Sequence, residues 1–269
     1  MKIVLLAALC LAGCKSPSDR PPEREHHAQP EKIPPTPILA SSTQLITAVP
    51  ADWTATTATL RLWHREPGAA WTAVGEPWSA AIGATGSAWG IGQHGDAPPF
   101  GHTGPKKQEG DRKSPAGAFA MRDAYGYAAA PPTGTRMPYT PSDDNTKCVD
   151  DPASLHYASI VNQASLQVDW HSAEDMHRKD ALYTWVVDIA HNPSHVPGEG
   201  SCIFLHVWKD ADSPTVGCTA MPEPKLRALL AQLDPSQKPT FVLLPRDEYT
   251  SLAAAWGLPA LESSARLAP

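Results

Sequence analysis

The chain has 269 residues, 42% of them hydrophobic and 19% charged, which is enough apolar material for a packed core and excludes general disorder. A net charge of −6 argues against a nucleic-acid partner. The 29 prolines are about 11% of the chain, roughly twice the usual share, and they disfavour a helical bundle.

Lys2, the apolar run from Ile3 to Ala12 and the small residue Gly13 form a basic start, a short greasy core and a cleavage-type end, so residues 1–13 are expected to be a signal peptide. Leu11-Ala12-Gly13-Cys14 resembles the lipobox of bacterial lipoproteins. That resemblance implies cleavage before Cys14, acyl chains on Cys14, and a membrane as partner through this anchor. It also implies an exported protein on the periplasmic face of a bacterial membrane. Lys15 in the second mature position points to the outer membrane rather than the inner one. Residues 14–40 follow as a tether, with Pro17, Pro21, Pro22, Pro30, Pro34, Pro35 and Pro37 among charges and no hydrophobic period. His26 and His27 inside it read as solvated tail. The remaining residues, 41–269, are expected to form one domain.

Short β segments dominate that domain. Thr43 to Val49, Ala58 to Arg65, Trp71 to Val74 and Trp78 to Ile82 are rich in Thr, Val, Ile and Trp, with turn residues between them. Leu166 to Trp170, Tyr183 to Ala190, Ser201 to Trp208 and Thr240 to Leu244 read as more buried strands. Ser172 with Asp175 three positions on has capping-box spacing and predicts a helix running to Tyr183. Leu226, Leu229, Leu230 and Leu233 share one helical face, which predicts a helix over Glu223 to Leu233, and a last helix is expected from Glu248 to Trp256. The class is mainly β, a sandwich-like domain with a few short helices.

Once Cys10 leaves with the signal and Cys14 is acylated, Cys148, Cys202 and Cys218 remain, so one pair can oxidise and one thiol is left over. In a strand, Cys202, Phe204, His206 and Trp208 share one face, and Ile203, Leu205 and Val207 the other. Cys218 stands shortly before the predicted helix, where a helix dipole would lower a thiol pKa, and His206 could then hold its proton in a thiolate–imidazolium pair. Gly217 allows the tight turn that lets amides near Cys218 face a developing oxyanion. By themselves these residues fit equally well a small buried thiol and a satisfied core histidine.

Leu205-His206, a loop, and Thr215-Val216-Gly217-Cys218 followed by Ala220-Met221 resemble the catalytic motif of L,D-transpeptidases, the YkuD family. Lys106, Glu109-Gly110-Asp111, Ser114-Pro115-Ala116-Gly117 and Phe119 resemble the family's entry strand, and the likeness runs from about Gln44 to Leu244. It implies a mostly β domain that acts on peptidoglycan stem peptides, with Cys218 as nucleophile, His206 as general base, Gly217 beside the oxyanion site and Thr215 at the family's Ser/Thr position. Val216 stands where the family usually has a second His, and Ala220 where many members carry an Arg. The loop between His206 and Thr215 is also shorter than usual.

The resemblance implies transpeptidation through a thioester. A carboxypeptidase or endopeptidase with the same dyad and a non-catalytic peptidoglycan-binding lipoprotein are the alternatives. With Cys218 free as nucleophile, Cys148 and Cys202 are expected to form a disulfide, the alternative being two separate buried thiols. Trp208 either lines the substrate groove or packs. Asp150 and Asp151 either receive the amino group of a diaminopimelate side chain or form a solvated loop, and Glu174 and Asp175 are read as helix-start acids. No cofactor is implied, and none of the histidines has zinc-site spacing, because His191 and His195 flank Pro193.

Overall fold

The computed structural model describes residues 37–96 and 98–261. The expected signal segment, Cys14 and the tether as far as residue 36 lie outside them. β1 (Gln44–Pro50) is buried along its whole length, because it runs antiparallel to β2 (Thr57–His64) on one side and parallel to β13 (Thr240–Leu243) on the other. β2 buries Ala58, Leu60 and Leu62 and leaves Thr57 and Thr59 exposed, the two-residue period of a strand with one wet face. β3 (Thr72–Ala81) joins what the sequence suggests are two strands. It passes Pro77 by a register shift opposite Leu60 and Leu62, and such a bulge accommodates a residue with no N–H to give to the ladder.

β5 (Ser114–Gly126) is the longest strand and changes partner along its length. Ser114 to Ala116 pair with β4 (Ser87–Trp89), Gly117 to Ala120 with β13, and Met121 to Gly126 with β10 (Trp185–Ile189). Gly117 sits at the first change with φ +143°, and a Cβ there would lie 2.0 Å from the His94 ring, so only glycine fits. β10 pairs with β11 (Phe204–Val207), β11 with β12 (Thr219–Met221), and β12 with β3. Because β5 pairs with both β13 and β10, the sheet closes on itself. The two layers of the expected sandwich are thus opposite walls of one flattened barrel, which leaves little free edge. The β12–β3 seam is thin: one pair, Ala220 with Ala81, reinforced by the bridge Gly83–Thr215.

α1 (Glu223–Leu230) buries Leu226, Leu229 and Leu230, and Leu233 is buried just beyond its end. α2 (Arg246–Trp256) covers β1 with Tyr249, Leu252 and Trp256. Between β6 (Tyr139–Pro141) and β10, residues 142–184 build a separate three-stranded sheet: β7 (Thr146–Val149) runs between β8 (Ile160–Asn162) and β9 (Ala173–Asp175). The expected helix from Ser172 to Tyr183 is therefore β9 followed by turns. Its backbone is spent on the ladder Val149–Ala173, Cys148–Glu174 and Lys147–Asp175, and Met176 is its only fully buried apolar residue before Tyr183. The expected strand Leu166 to Trp170 is irregular, with Leu166 and Val168 exposed, so no apolar face holds it in a sheet.

Candidate active site

The alternation of β11 decides which of its residues face the barrel core and which face Cys218. Ile203, Leu205 and Val207 join the main apolar cluster of the barrel. Phe204 belongs to a second cluster outside the barrel wall, with Tyr183, Val186, Met176, Cys148 and Cys218. His206 shares the Phe204 face and meets the Tyr183 ring edge-on at 5.1 Å. The parallel register sets His206 opposite Ala220, and Cys218, two residues earlier, falls on the same face. Cys218 and His206 thereby line one cavity of about 230 Å³ together with Glu174, Arg178, Tyr183, Trp208 and Val216.

The turn ahead of Cys218 is fixed by hydroxyl groups. Thr215 N–H donates to Ile82 O at 2.9 Å, and Ala84 N–H donates to Thr215 O at 2.8 Å. Gly217 adopts φ +148°, a conformation that favours glycine. Thr215 Oγ1 donates to Cys218 O at 2.6 Å and accepts from Gly217 N–H at 3.1 Å. The buried Ser114 hydroxyl reaches Gly217 O at 2.7 Å and Cys218 O at 3.1 Å, and accepts from Gly83 N–H at 2.9 Å. Gly217 thus supplies the turn, while its own N–H is already engaged by Thr215. The acids of Glu109-Gly110-Asp111 are supports as well. Glu109 accepts from Tyr157 Oη at 2.6 Å and Ser201 Oγ at 2.7 Å, which steadies the approach to β11, and Asp111 pairs with Lys107.

Cys218 does not stand at a helix N-terminus, since β12 follows it directly and α1 begins only at Glu223. The expected thiolate–imidazolium pair is not the resting state either. Cys218 Sγ donates to Cys202 O at 3.4 Å and accepts from Phe204 N–H at 3.3 Å. Burial pushes its thiol well above the usual range, and the negative charge of Glu174 adds to the shift. Burial also lowers the His206 imidazole to about 4. His206 Nδ1–H donates to Val207 O at 2.8 Å, which leaves Nε2 with the free lone pair. A neutral thiol and a neutral imidazole therefore share the cavity.

A disulfide between Cys148 and Cys202 ties the small sheet to the barrel, and Cys218 is free. Glu174 lies opposite Cys148 in the ladder, so the same bridge positions it at the cavity. Tyr183 Oη donates to Glu174 Oε1. Burial raises the Glu174 carboxyl to about 7 against the pull of Tyr183 and Arg178, with Asp150 and Glu109 adding to the rise. Arg178 holds Asp180 through Nε at 3.0 and 3.2 Å and Nη2 at 2.8 Å, and its guanidinium lies 5.2 Å from the centre of the Tyr183 ring.

His191 and His195 line a different cavity with Arg122, Asp188 and the disulfide residues, so neither stands beside Cys218. Asp151 is a loop acid that accepts from Ala153 N–H at 2.9 Å and His171 N–H at 2.7 Å. Glu174, Arg178, Tyr183 and Ser114 are the site residues that sequence reasoning missed. None of them sits in a periodic pattern that points to the cavity, and for the first three it is the fold of residues 142–184 that brings them there.

The described residues thus form a closed β-barrel with Cys218 and His206 in one cavity beside a disulfide-tied sheet. The family model for the L,D-transpeptidase catalytic domain, YkuD, matches residues 57–242, and the chain belongs to that family. It is thus an L,D-transpeptidase-type enzyme domain with peptidoglycan as its substrate class. No curated protein matches the chain.

Proposed function

We propose that the protein is a cysteine-dependent L,D-transpeptidase that acts on peptidoglycan stem peptides through a thioester on Cys218. The observation that carries this reading is that Cys218 and His206 line one cavity within the family's catalytic domain. Cys218 Sγ attacks the carbonyl carbon of the L-centre residue as His206 Nε2 takes the thiol proton. Ionisation accompanies attack, because the resting pair is neutral. The turn at Gly217 lies beside the developing oxyanion. The C–N bond then breaks, His206 gives its proton to the departing amine, and a D-amino acid leaves. An acceptor amine attacks the thioester, passes its proton to His206, and the C–S bond breaks with the thiol restored. Water as acceptor would make the same enzyme a carboxypeptidase or endopeptidase. Trp208, half-buried in the lining, is a wall for the stem peptide.

Acylation at Cys14, export, and an outer-membrane anchor with residues 14–40 as tether complete the proposal; they rest on the lipobox-like sequence. Incubation with purified muropeptides separates the outcomes by product mass. Cross-linked products show transfer, and trimmed peptides show hydrolysis. Binding without any product would leave a peptidoglycan-binding lipoprotein and refute the enzymatic reading.

A further inference from the structure

Glu174 and Arg178 line the Cys218 cavity with opposite charges, and both come from residues 142–184; Lys209, in the loop after β11, is the third charged residue of the lining. Glu174 is held by the β7–β9 ladder, by Tyr183 Oη and, through Cys148 opposite it, by the disulfide. Arg178 is held by its bidentate pair with Asp180 and by the Tyr183 ring. That pair occupies Nε and Nη2 and does not involve Nη1. A carboxylate beside a nucleophilic thiol works against thiolate formation, so Glu174 does not serve to activate Cys218. The residue fits a cation brought by the substrate, whose entry would neutralise the carboxylate and relieve the thiol. Ala220, which shares the His206 face, leaves the position where many family members carry an arginine without a charge, and Arg178 supplies one to the cavity from a different element.

We propose that Glu174 and Arg178 form a zwitterion-binding subsite that takes the ammonium and carboxylate of the free amino-acid end of a diamino-acid residue, the residue whose other carbonyl Cys218 attacks. The proposal rests on the stem-peptide reading above and names the part of the stem peptide that the cavity selects. Arg–carboxylate and carboxylate–ammonium contacts in a half-buried cavity discriminate strongly against ligands that lack one partner, because the other charge is left unpaired.

The test uses three stem tetrapeptides: one with unmodified meso-diaminopimelate, one acetylated on its free amine, and one amidated on its free carboxyl. For the wild-type protein kcat/KM should fall at least tenfold on each modified peptide. Glu174→Gln should lower kcat/KM only for peptides with a free amine, chiefly through KM, which erases the preference over the acetylated one, and Glu174→Asp should restore part of it. Arg178→Gln should likewise erase the preference over the amidated peptide. Equal turnover of all three peptides by the wild type would overturn the subsite, as would variants that slow all three by the same factor. If the wild type turns over none of them, the enzymatic reading fails by itself. Calorimetry with the Cys218→Ala protein then decides the subsite: binding at least tenfold weaker for the acetylated peptide supports it, and equal or absent binding refutes it.

Discussion

The carbonyl of Cys202 accepts the hydrogen bond of Cys218 Sγ at 3.4 Å while the side chain of Cys202 is bonded to Cys148. One residue thus connects Cys218 to the small sheet that roofs it. Cys202 also holds a left-handed φ of +54°, a costly conformation for a residue other than glycine. Loss of the bridge frees both the roof and this backbone. Cys148→Ser should lower unfolding stability by about 2–4 kcal/mol, as for other native disulfides, and lower kcat/KM more than tenfold. Denaturant titration and a turnover assay on the same variant check both, and an unchanged kcat/KM would show that the roof does not organise the site.

The neutral dyad has a pH signature. Iodoacetamide labelling of Cys218 in the unliganded protein should have its midpoint well above the ordinary thiol value of about 8.5. The acid limb of kcat/KM should fall near 4, the value to which burial lowers His206, rather than near the usual 6.5. Glu174→Gln removes a nearby negative charge and should shift the labelling midpoint down. A wild-type midpoint at or below 7 would restore the ion pair as the resting state.

Glu174 also links stability to pH. Its folded carboxyl titrates near 7, above its ordinary 4.5, so the folded protein binds more protons than the unfolded chain between those values. Stability from this group is therefore present below pH 4.5 and is lost as pH rises through 7. Glu174→Gln should leave stability nearly unchanged at pH 4 and raise it relative to wild type at pH 8, by on the order of 2 kcal/mol. Chemical denaturation at the two pH values measures the difference, and equal offsets at both would contradict the assignment.

Ser114 joins three backbone groups at the turn before Cys218. Ser114→Ala leaves the buried Gly83 N–H and the Gly217 carbonyl without this partner and should cost about 1–3 kcal/mol. Misplacement of Cys218 should slow turnover more than it slows labelling of the thiol by a small reagent. Equal slowing of both would mean that the turn only buries the thiol.

The β class, the faces of β11 and the Cys218–His206 pair are legible in the sequence, because a two-residue period and a short motif are local signals. The strands β1, β2, β10 and β13 and the helix α2 lie within a few residues of their expected bounds; in β2 Ala58, Leu60 and Leu62 alternate, and in α2 Tyr249, Leu252 and Trp256 share a helical face. Glu174 and Arg178 are not legible. Their segment carries a helix-start spacing that the ladder with Cys148 overrides, and only the folded sheet brings them to the cavity. The protonation of the dyad is hidden too, because it depends on how completely residues 142–184 cover Cys218 and His206.

The central claim is that Cys218 carries the acyl group. Mixing the protein with a stem tetrapeptide, quenching in acid within the first turnover and reading intact mass tests it directly. The account predicts an increment equal to the acyl tripeptide on Cys218, slower to form in His206→Ala and absent in Cys218→Ala. Product formed without that adduct, or formed at the wild-type rate by Cys218→Ala, would contradict it.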